Sequence, residues 1–144
     1  MCAFQHGKSS YFGIDDSGAS VVDISAYVTN VDFSRDIDTP ESTTYGNDDR
    51  TYIPGLAGAT LSVSGYWDST ADTGPDEVLS ENVGKATTST FNYGPEGTTT
   101  GDIIYHGECI LTNYSISSPV DGIVSYTADF QISGAVTRGS WPLA

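Results

Sequence analysis

The amino-acid sequence predicts an all-β fold, a β-sandwich or barrel of about seven strands with one short flanking α-helix. Three observations lead to this prediction. The 144 residues are rich in Ser, Thr, Gly and Tyr, which favour strands and turns, whereas strong helix formers are scarce. Runs in which apolar and polar residues alternate recur between segments of turn residues. Only one short segment spaces its apolar residues as a helix does, and the length suits a single domain over residues 1–144.

The first elements are an arm and two strands. We interpret residues 1–18 as an N-terminal arm with room for a short strand around Tyr11. Residues 19–25 predict a short strand, and residues 26–34 resume the apolar pattern up to Phe33. The two strands are expected to meet at a kink or a helical turn.

A long loop is predicted over residues 35–58. Asp, Thr, Glu, Gly and two prolines interrupt every apolar period there, so no regular element is expected. Loops of this length are uncommon inside compact domains and are usually functional or ordered by a partner. The segment is therefore a candidate contact surface.

The middle of the chain contains a strand, a helix and a second strand. Residues 59–68 predict a half-buried strand, because apolar and polar side chains alternate along them. A helix is predicted over residues 76–83, since Pro75 and two acids stand at its start and Gly84 ends it. Residues 87–93 predict the next strand.

Residues 102–134 predict a long β-hairpin. Its two strands are residues 102–117 and 123–133, and the connection contains Pro119 followed by an Asp-Gly pair. In the second strand, the packed face comprises Val124, Tyr126, Ala128, Phe130 and Ile132. The wet face comprises Ser125, Thr127, Asp129, Gln131 and Ser133.

The charge of the chain excludes two classes of function. It has 19 acidic and 5 basic residues, for a net charge of −14. A chain so poor in Lys and Arg cannot bind nucleic-acid phosphates or adsorb to an anionic membrane. The sequence also shows no apolar run of membrane-spanning length and no signal-peptide segment after Met1. We expect Cys2 and Cys109 to be free thiols.

No catalytic, metal or cofactor site is predicted, and we expect no enzyme activity. His6 lies in the N-terminal arm, and His106 has no second ligand at metal-binding spacing. Asp36 and Asp38 begin like a calcium-binding loop, but the residues that follow break the pattern. Adjacent acid pairs are expected by chance in so acidic a chain.

Three segments carry an ordered series of motifs. T-Y-G-N-D-D-R-T-Y-I-P-G-L at residues 44–56 runs directly into A-G-A-T-L-S-V-S-G-Y-W-D at residues 57–68. D-I-S-A-Y-V at residues 23–28 opens the series, and the long hairpin with G-A-V-T-R-G at residues 134–139 closes it. Over nearly the whole chain, the series resembles the tail tube (major tail) proteins of long-tailed bacteriophages.

The resemblance implies a structural virion protein with a tail-tube-like β-sandwich and a flanking helix. Proteins of this family assemble as hexameric rings, which stack into a tube around a channel for DNA. The implied partners are further copies of the chain and other tail proteins, namely the tape measure, terminator and tip. DNA would pass without specific binding. Synthesis in the host bacterial cytoplasm, with no cofactor and no membrane, is also implied.

The resemblance places the contact residues in two segments. In the inter-subunit loop over residues 35–58, they are Tyr45, Gly46, Arg50, Tyr52, Ile53, Pro54 and Leu56. In the hairpin over residues 102–134, the candidates for the channel lining are Glu108, Thr127, Asp129 and Gln131. A basic lining would hold DNA, whereas an acidic or neutral polar lining lets it slide.

Two alternatives stay open. Another ring protein of the tail, such as a terminator or connector, would share this fold, and copy number in the virion would distinguish it. A carbohydrate-binding β-sandwich belongs to a different class of protein, and its aromatic residues and acidic loops would form a sugar and calcium site. Titration with glycans and calcium would identify such a module.

Overall fold

The structure is a computed structural model that describes residues 4, 6–16, 18 and 20–142. The described residues contain seven strands: β1 (Tyr11–Asp15), β2 (Val21–Asp23), β3 (Val28–Ile37), β4 (Ala57–Tyr66), β5 (Ser89–Gly94), β6 (Ile103–Ser117) and β7 (Ser125–Ser140). The α-helix α1 (Pro75–Asn82) follows β4, and short 3-10 turns lie at Gly7–Ser9 and Ser25–Tyr27. The strands form one antiparallel sheet in the order β2-β1-β5-β6-β7-β4-β3. The predicted all-β class with one short helix is confirmed.

The sheet curls so strongly that its two halves face each other. The ring centroid of Phe33 on β3 lies 6.1 Å from that of Phe91 on β5 and 5.4 Å from that of Tyr105 on β6. Because β6, β7 and β4 separate β3 from β5 in the sheet, these contacts require the sheet to fold back on itself. Two register shifts in β6 against β7 contribute, since bulges bend strands and increase their twist.

The hydrophobic core fills the inside of this curl and follows the predicted alternation. The buried residues of β4 and β7 are Ala59, Leu61, Val63, Tyr126, Ala128, Phe130 and Ile132. Gly65 is the next residue on the buried face of β4. A Cβ at this position would overlap the Tyr27 carbonyl oxygen. The start of β3 can therefore approach β4 closely only while residue 65 is glycine.

Helix α1 lies close to the predicted segment 76–83. It begins at Pro75, with acidic residues in its first turn as the helix dipole favours. Val78 and Leu79 are fully buried and join the core. Burial of two aliphatic side chains of this kind is worth about 1.5–3 kcal/mol each, which holds a helix too short to be stable alone.

Two polar anchors fix the position of α1. At its first turn, the Asp76 carboxylate accepts hydrogen bonds from Trp67 Nε1 at 3.1 Å and from Tyr114 Oη at 2.9 Å. At its last residue, the buried Asn82 donates to the Asp15 carbonyl oxygen at 2.8 Å and accepts from the Oγ of the first β5 residue at 2.7 Å. Both ends of the helix are therefore tied to strands of the sheet.

The N-terminal boundaries differ from the predicted ones. Strand β1 lies inside the expected arm over residues 1–18, but it pairs with both β2 and β5 and buries Phe12 and Ile14. Of the strand predicted over residues 19–25, the described residues 20–25 contribute only the three-residue strand β2. The helical turn expected at the join is the 3-10 turn Ser25–Tyr27. The sequence predicts β1 only from its own side-chain pattern, because its partner strand β5 is distant in the chain.

Two further boundaries shift because strands continue past the end of their apolar pattern. β3 and β4 enclose residues 38–56 rather than 35–58. β7 continues to Ser140, beyond the predicted end at residue 134, and its last residues pair with the start of β6. Cys2 lies outside the described residues, whereas Cys109 is a buried free thiol. Among the described helices, none has the length and apolarity needed to cross a membrane.

Candidate functional site

One half of the sheet has two unpaired edges. β3 is the last strand of the sheet, and among the residues that the structure describes its backbone pairs with β4 alone. At the other side, β5 pairs with β6 only between Tyr105 and Cys109. Residues 110–117 of β6 therefore pair with β7 on one side and, within the described chain, with no strand on the other. We call residues 110–117 of β6 together with β7, β4 and β3 the half-sheet.

One face of the half-sheet is polar from edge to edge. Three rows of cross-strand neighbours cross it in the order β3, β4, β7, β6: Asn30, Ser64, Thr127 and Ser115; Asp32, Ser62, Asp129 and Asn113; Ser34, Thr60, Gln131 and Ile110. All but Ile110 are polar, whereas the opposite face packs against the core. Three predicted channel residues, Thr127, Asp129 and Gln131, thus share one surface. The fourth, Glu108, lies just outside the half-sheet, where it pairs with Ser133 and continues the same surface, and we include it in the polar face.

Hydroxyl and amide groups bind the carboxylates of this polar face. Asp129 accepts hydrogen bonds from Ser62 Oγ at 2.9 Å and from a β6 side-chain amide at 3.3 Å. Glu108 accepts from Thr88 Oγ1 at 2.9 Å and from Thr90 Oγ1 at 2.6 Å. Neutral donors satisfy the oxygen atoms without cancelling their charge, so the face stays negative.

The polar face has four carboxylates and no cation. The carboxylates are those of Asp32, Asp36, Glu108 and Asp129. The five basic residues of the chain lie elsewhere, at Lys8, Arg35, Arg50, Lys85 and Arg138. Arg35 is on β3 but is opposite the buried Ala59, which places it on the other face. Sequence reasoning missed Asp32 and Asp36, although polar residues at 30, 32, 34 and 36 signal one wet face.

Residues 38–56 project from the end of the half-sheet as an irregular hairpin, which we call the β3–β4 extension. Asp38 N donates to Leu56 O at 2.9 Å, and Ser42 N donates to Thr51 O at 2.7 Å. The backbone therefore continues the pairing of β3 with β4 where the sequence predicted an unpaired loop. Glycine and proline interrupt the side-chain pattern, but the remaining N–H and C=O groups still pair.

The seven predicted contact residues of the β3–β4 extension are all exposed: Tyr45, Gly46, Arg50, Tyr52, Ile53, Pro54 and Leu56. Tyr45 is fully exposed at the turn, and Leu56 is 83% exposed. Arg50 Nε lies 3.7 Å from Glu41 Oε1, but both side chains are exposed, so this ion pair contributes little stability. The extension thus presents apolar side chains that the fold of one copy does not cover.

A second exposed apolar surface was missed by sequence reasoning. It lies at residues 116–124, which we call the hairpin tip, between β6 and β7. Val120 is fully exposed, Ile123 is 64% exposed and Ile116 is half exposed. In the sequence, the indication was three aliphatic residues beside turn residues, at positions that do not belong to the predicted core.

Three further features bear on other kinds of site: metal-ligand clusters, a surface cleft and the Cys109 thiol. The described residues contain no cluster of three or more His, Cys, Asp or Glu side chains that could hold a metal ion. A cleft of about 460 Å³ lies between the N-terminal residues and the start of β3, with His6 and Lys8 in its lining. Burial raises the pKa of the Cys109 thiol to about 12, which keeps it protonated and unreactive.

The sequence profile of the phage tail tube protein family matches residues 4–138. The chain belongs to this family. Tail tube proteins are structural components of the virion, and their copies assemble with one another into a tube. The chain therefore has a structural tail tube role, which supersedes the carbohydrate-binding alternative.

Solved structures of tail assemblies share the fold of this tail tube protein. The tail of an empty gene transfer agent particle with C6 symmetry has a TM-score of 0.80 at 19% identity, over 95% of this chain and 100% of that one. The SPP1 tail tube has a TM-score of 0.75 at 13% identity, over 95% and 80% of the two chains. The anti-feeding prophage baseplate has a TM-score of 0.72 at 8% identity, over 99% and 100%. No curated protein sequence matches the chain.

Proposed function

We propose that this tail tube protein forms closed rings in which β3 of one copy pairs with residues 110–117 of β6 in the next. The two unpaired edges of the half-sheet carry this proposal. Strand direction alternates across the half-sheet, so β3 runs opposite to β6. A neighbour in the same orientation therefore presents β6 antiparallel to β3, and the pairing continues across the junction. Each edge is covered, which removes the aggregation hazard of an exposed strand.

We propose six copies in each ring. The C6 symmetry of the gene transfer agent tail supports this number, because that chain has the same fold. Four strands from each of six copies make a barrel of 24 strands. Barrel diameter grows with strand number, and porins with about 16–18 strands already leave a water-filled channel. A barrel of the proposed size encloses a wider one.

The polar face of the half-sheet lines the proposed channel, because the opposite face is occupied by the core. Glu108, Thr127, Asp129 and Gln131 are then lining residues, together with the acids of β3. DNA carries one negative charge per ~1.7 Å of helix axis, and Lys and Arg are the groups that bind it. A lining of carboxylates, hydroxyls and amides lets the genome pass without holding it.

The rings stack into the tube, and the β3–β4 extension contacts the adjacent ring. Its exposed Tyr45, Tyr52, Ile53 and Leu56 support this role, because stacking would cover apolar side chains that are exposed in one copy. The tape measure inside the channel and the terminator and tip at the tube ends are the further proposed partners.

Electron microscopy of the purified protein over a concentration series tests the proposed function. We expect six-fold rings at low concentration and tubes of stacked rings at high concentration. A protein that stays monomeric at all concentrations, or that forms rings of another symmetry, would overturn the proposal. Copy number in the virion separates the tube body from a terminator ring, since a tube contains many rings and a terminator only one.

A further inference from the structure

The hairpin tip and the β3–β4 extension lie at opposite ends of the same strands. β4 begins at Ala57, where the extension returns to the sheet, and it ends at Tyr66, which pairs with Ser125 beside the hairpin tip. Ten strand residues span roughly 33 Å, so the two exposed surfaces stand about that far apart along the strand direction. One copy cannot bring them together.

Both surfaces are apolar, and neither is covered by its own fold. The hairpin tip exposes Ile116, Val120 and Ile123, and the extension exposes Tyr52, Ile53 and Leu56. The described backbone hydrogen bonds of the extension join its own two sides. Single exposed aliphatic residues are ordinary, but two groups of three at opposite ends of one sheet mark contact surfaces.

Stacking of rings in one orientation requires opposite ends of the subunit to fit each other. Such a contact is head-to-tail, so the surface at one end meets a different surface at the other end. We infer that the β3–β4 extension of one copy packs Tyr52, Ile53 and Leu56 against Ile116, Val120 and Ile123 at the hairpin tip of a copy in the adjacent ring. This inference rests on the proposed tube and names the surface that receives the extension.

Both surfaces carry a net negative charge, so burial of apolar side chains must drive this contact. The extension has four acids and one basic residue, for a net charge of −3, and Asp121 gives the hairpin tip a charge of −1. Like charges repel most at low ionic strength, so added salt strengthens the contact, whereas it would weaken a contact made of ion pairs. The contact recurs once per copy around the ring, and this multivalency lets a small surface hold two rings together.

Charge substitutions at the hairpin tip test the inference. Val120→Glu with Ile123→Glu places two further negative charges against the acidic extension and should lower the mass of sedimented tubes at least tenfold. Six-fold rings should persist, because neither residue lies on β3 or on residues 110–117. Val83→Glu is the matched control, since Val83 is a similarly exposed aliphatic residue at the end of α1, and its tubes should equal those of the parent. Ile53→Lys added to the tip variant should restore part of the lost tubes.

Cross-linking provides the second measurement. With Cys2 replaced by serine and a thiol oxidant such as diamide added, Val120→Cys with Ile53→Cys should form disulfides in tubes but not in isolated rings, because the bond joins adjacent rings. Every copy carries both cysteines, so the products should be covalent dimers and longer oligomers. The buried, protonated Cys109 should stay unmodified. Parent-like tubes from the double-Glu variant, or absence of the cross-link in tubes, would overturn the inference while leaving the ring intact. A parent protein that forms neither rings nor tubes would overturn the proposed function itself.

Discussion

Replacing two acids of the polar face with lysines should make the tube bind DNA, because Lys side chains contact phosphates directly. The acids at 32, 36, 108 and 129 give this face four negative charges in each copy. Glu108→Lys with Asp129→Lys brings their sum to zero, because each substitution removes one negative charge and adds one positive charge. In the proposed ring of six copies, each copy would change by four charges and the ring by 24. All twelve changed side chains of the proposed ring would be lysines on the face proposed to line the channel.

The substitutions also remove hydrogen bonds, which requires a neutral control. Each carboxylate accepts two hydrogen bonds, and losing them should cost about 1–2 kcal/mol per site. Glu108→Gln with Asp129→Asn keeps an acceptor oxygen at each site and removes only the charge. Urea denaturation should show a smaller loss of stability for this control than for the lysine variant, and ring formation by both variants confirms that assembly survives.

The assay mixes tubes with a short fluorescent DNA duplex and sediments them at two salt concentrations. Parent and neutral-control tubes should leave the duplex in the supernatant, whereas lysine-variant tubes should sediment it at 50 mM salt. With about six phosphate contacts, the affinity should fall at least ~10³-fold between 50 and 200 mM. Duplex inside the channel should resist nuclease. Bound duplex that is digested freely would place the polar face on the outside of the tube and refute the reasoning.

Three further predictions concern the helix anchor, the pH response and the sheet edge. Asp76→Ala should lower the free energy of unfolding by about 3 kcal/mol in urea denaturation, because an indole and the Tyr114 hydroxyl lose their shared acceptor; Asp76→Asn should cost less. Stability should fall as pH rises above about 9, because burial raises the pKa of Tyr114 and that of Cys109, so the unfolded state loses these protons first; a constant urea midpoint from pH 8 to 11 would contradict this. Ser34→Pro and Arg35→Pro each remove one β3 N–H, one directed at β4 and the other at the free edge. The variant that loses a hydrogen bond to β4 should be destabilised, and the variant that loses an N–H at the free edge should fold without forming rings. Rings from both variants would show that this edge takes no part in assembly.

The wet and packed faces of the strands could be predicted because they depend on local alternation. The faces of β4 and β7 follow from residues two apart, and the start of α1 follows from Pro75 and the acids after it. These signals are local, since side chains of neighbouring residues point to opposite sides of a strand. The same rule placed Thr127, Asp129 and Gln131 on one surface before any partner strand was known.

Strand order could not be predicted, because it depends on contacts between distant residues. Strand β1 resembles an arm in sequence, and its partner β5 lies more than seventy residues away, at Phe91 opposite Ile14. The free edge at residues 110–117 has no sequence signal either, since it arises only because β5 begins opposite Cys109. Pairing in the β3–β4 extension is made by backbone groups, which every sequence contains.

The distribution of charge links solubility to assembly. The carboxylates of the polar face are hydrogen-bonded by hydroxyls and amides, and the ion pair found among the described residues, Arg50 with Glu41, lies in the extension. The negative charge of the polar face is therefore not cancelled within one copy. Free subunits repel one another through it, which opposes association in random orientations.

Assembly must then be driven by interactions that do not depend on opposite charges. Backbone pairing of β3 with residues 110–117 is directional and uncharged, and it can close a ring while the acids face the channel. The inferred burial of the hairpin tip by the extension would be apolar and opposed by like charges. Added salt screens the acids of adjoining copies and should favour ring closure, and tube growth from rings should likewise increase between 50 and 500 mM NaCl when followed by light scattering. Tubes that fall apart into rings as salt rises would show that ion pairs, not apolar side chains, join the rings.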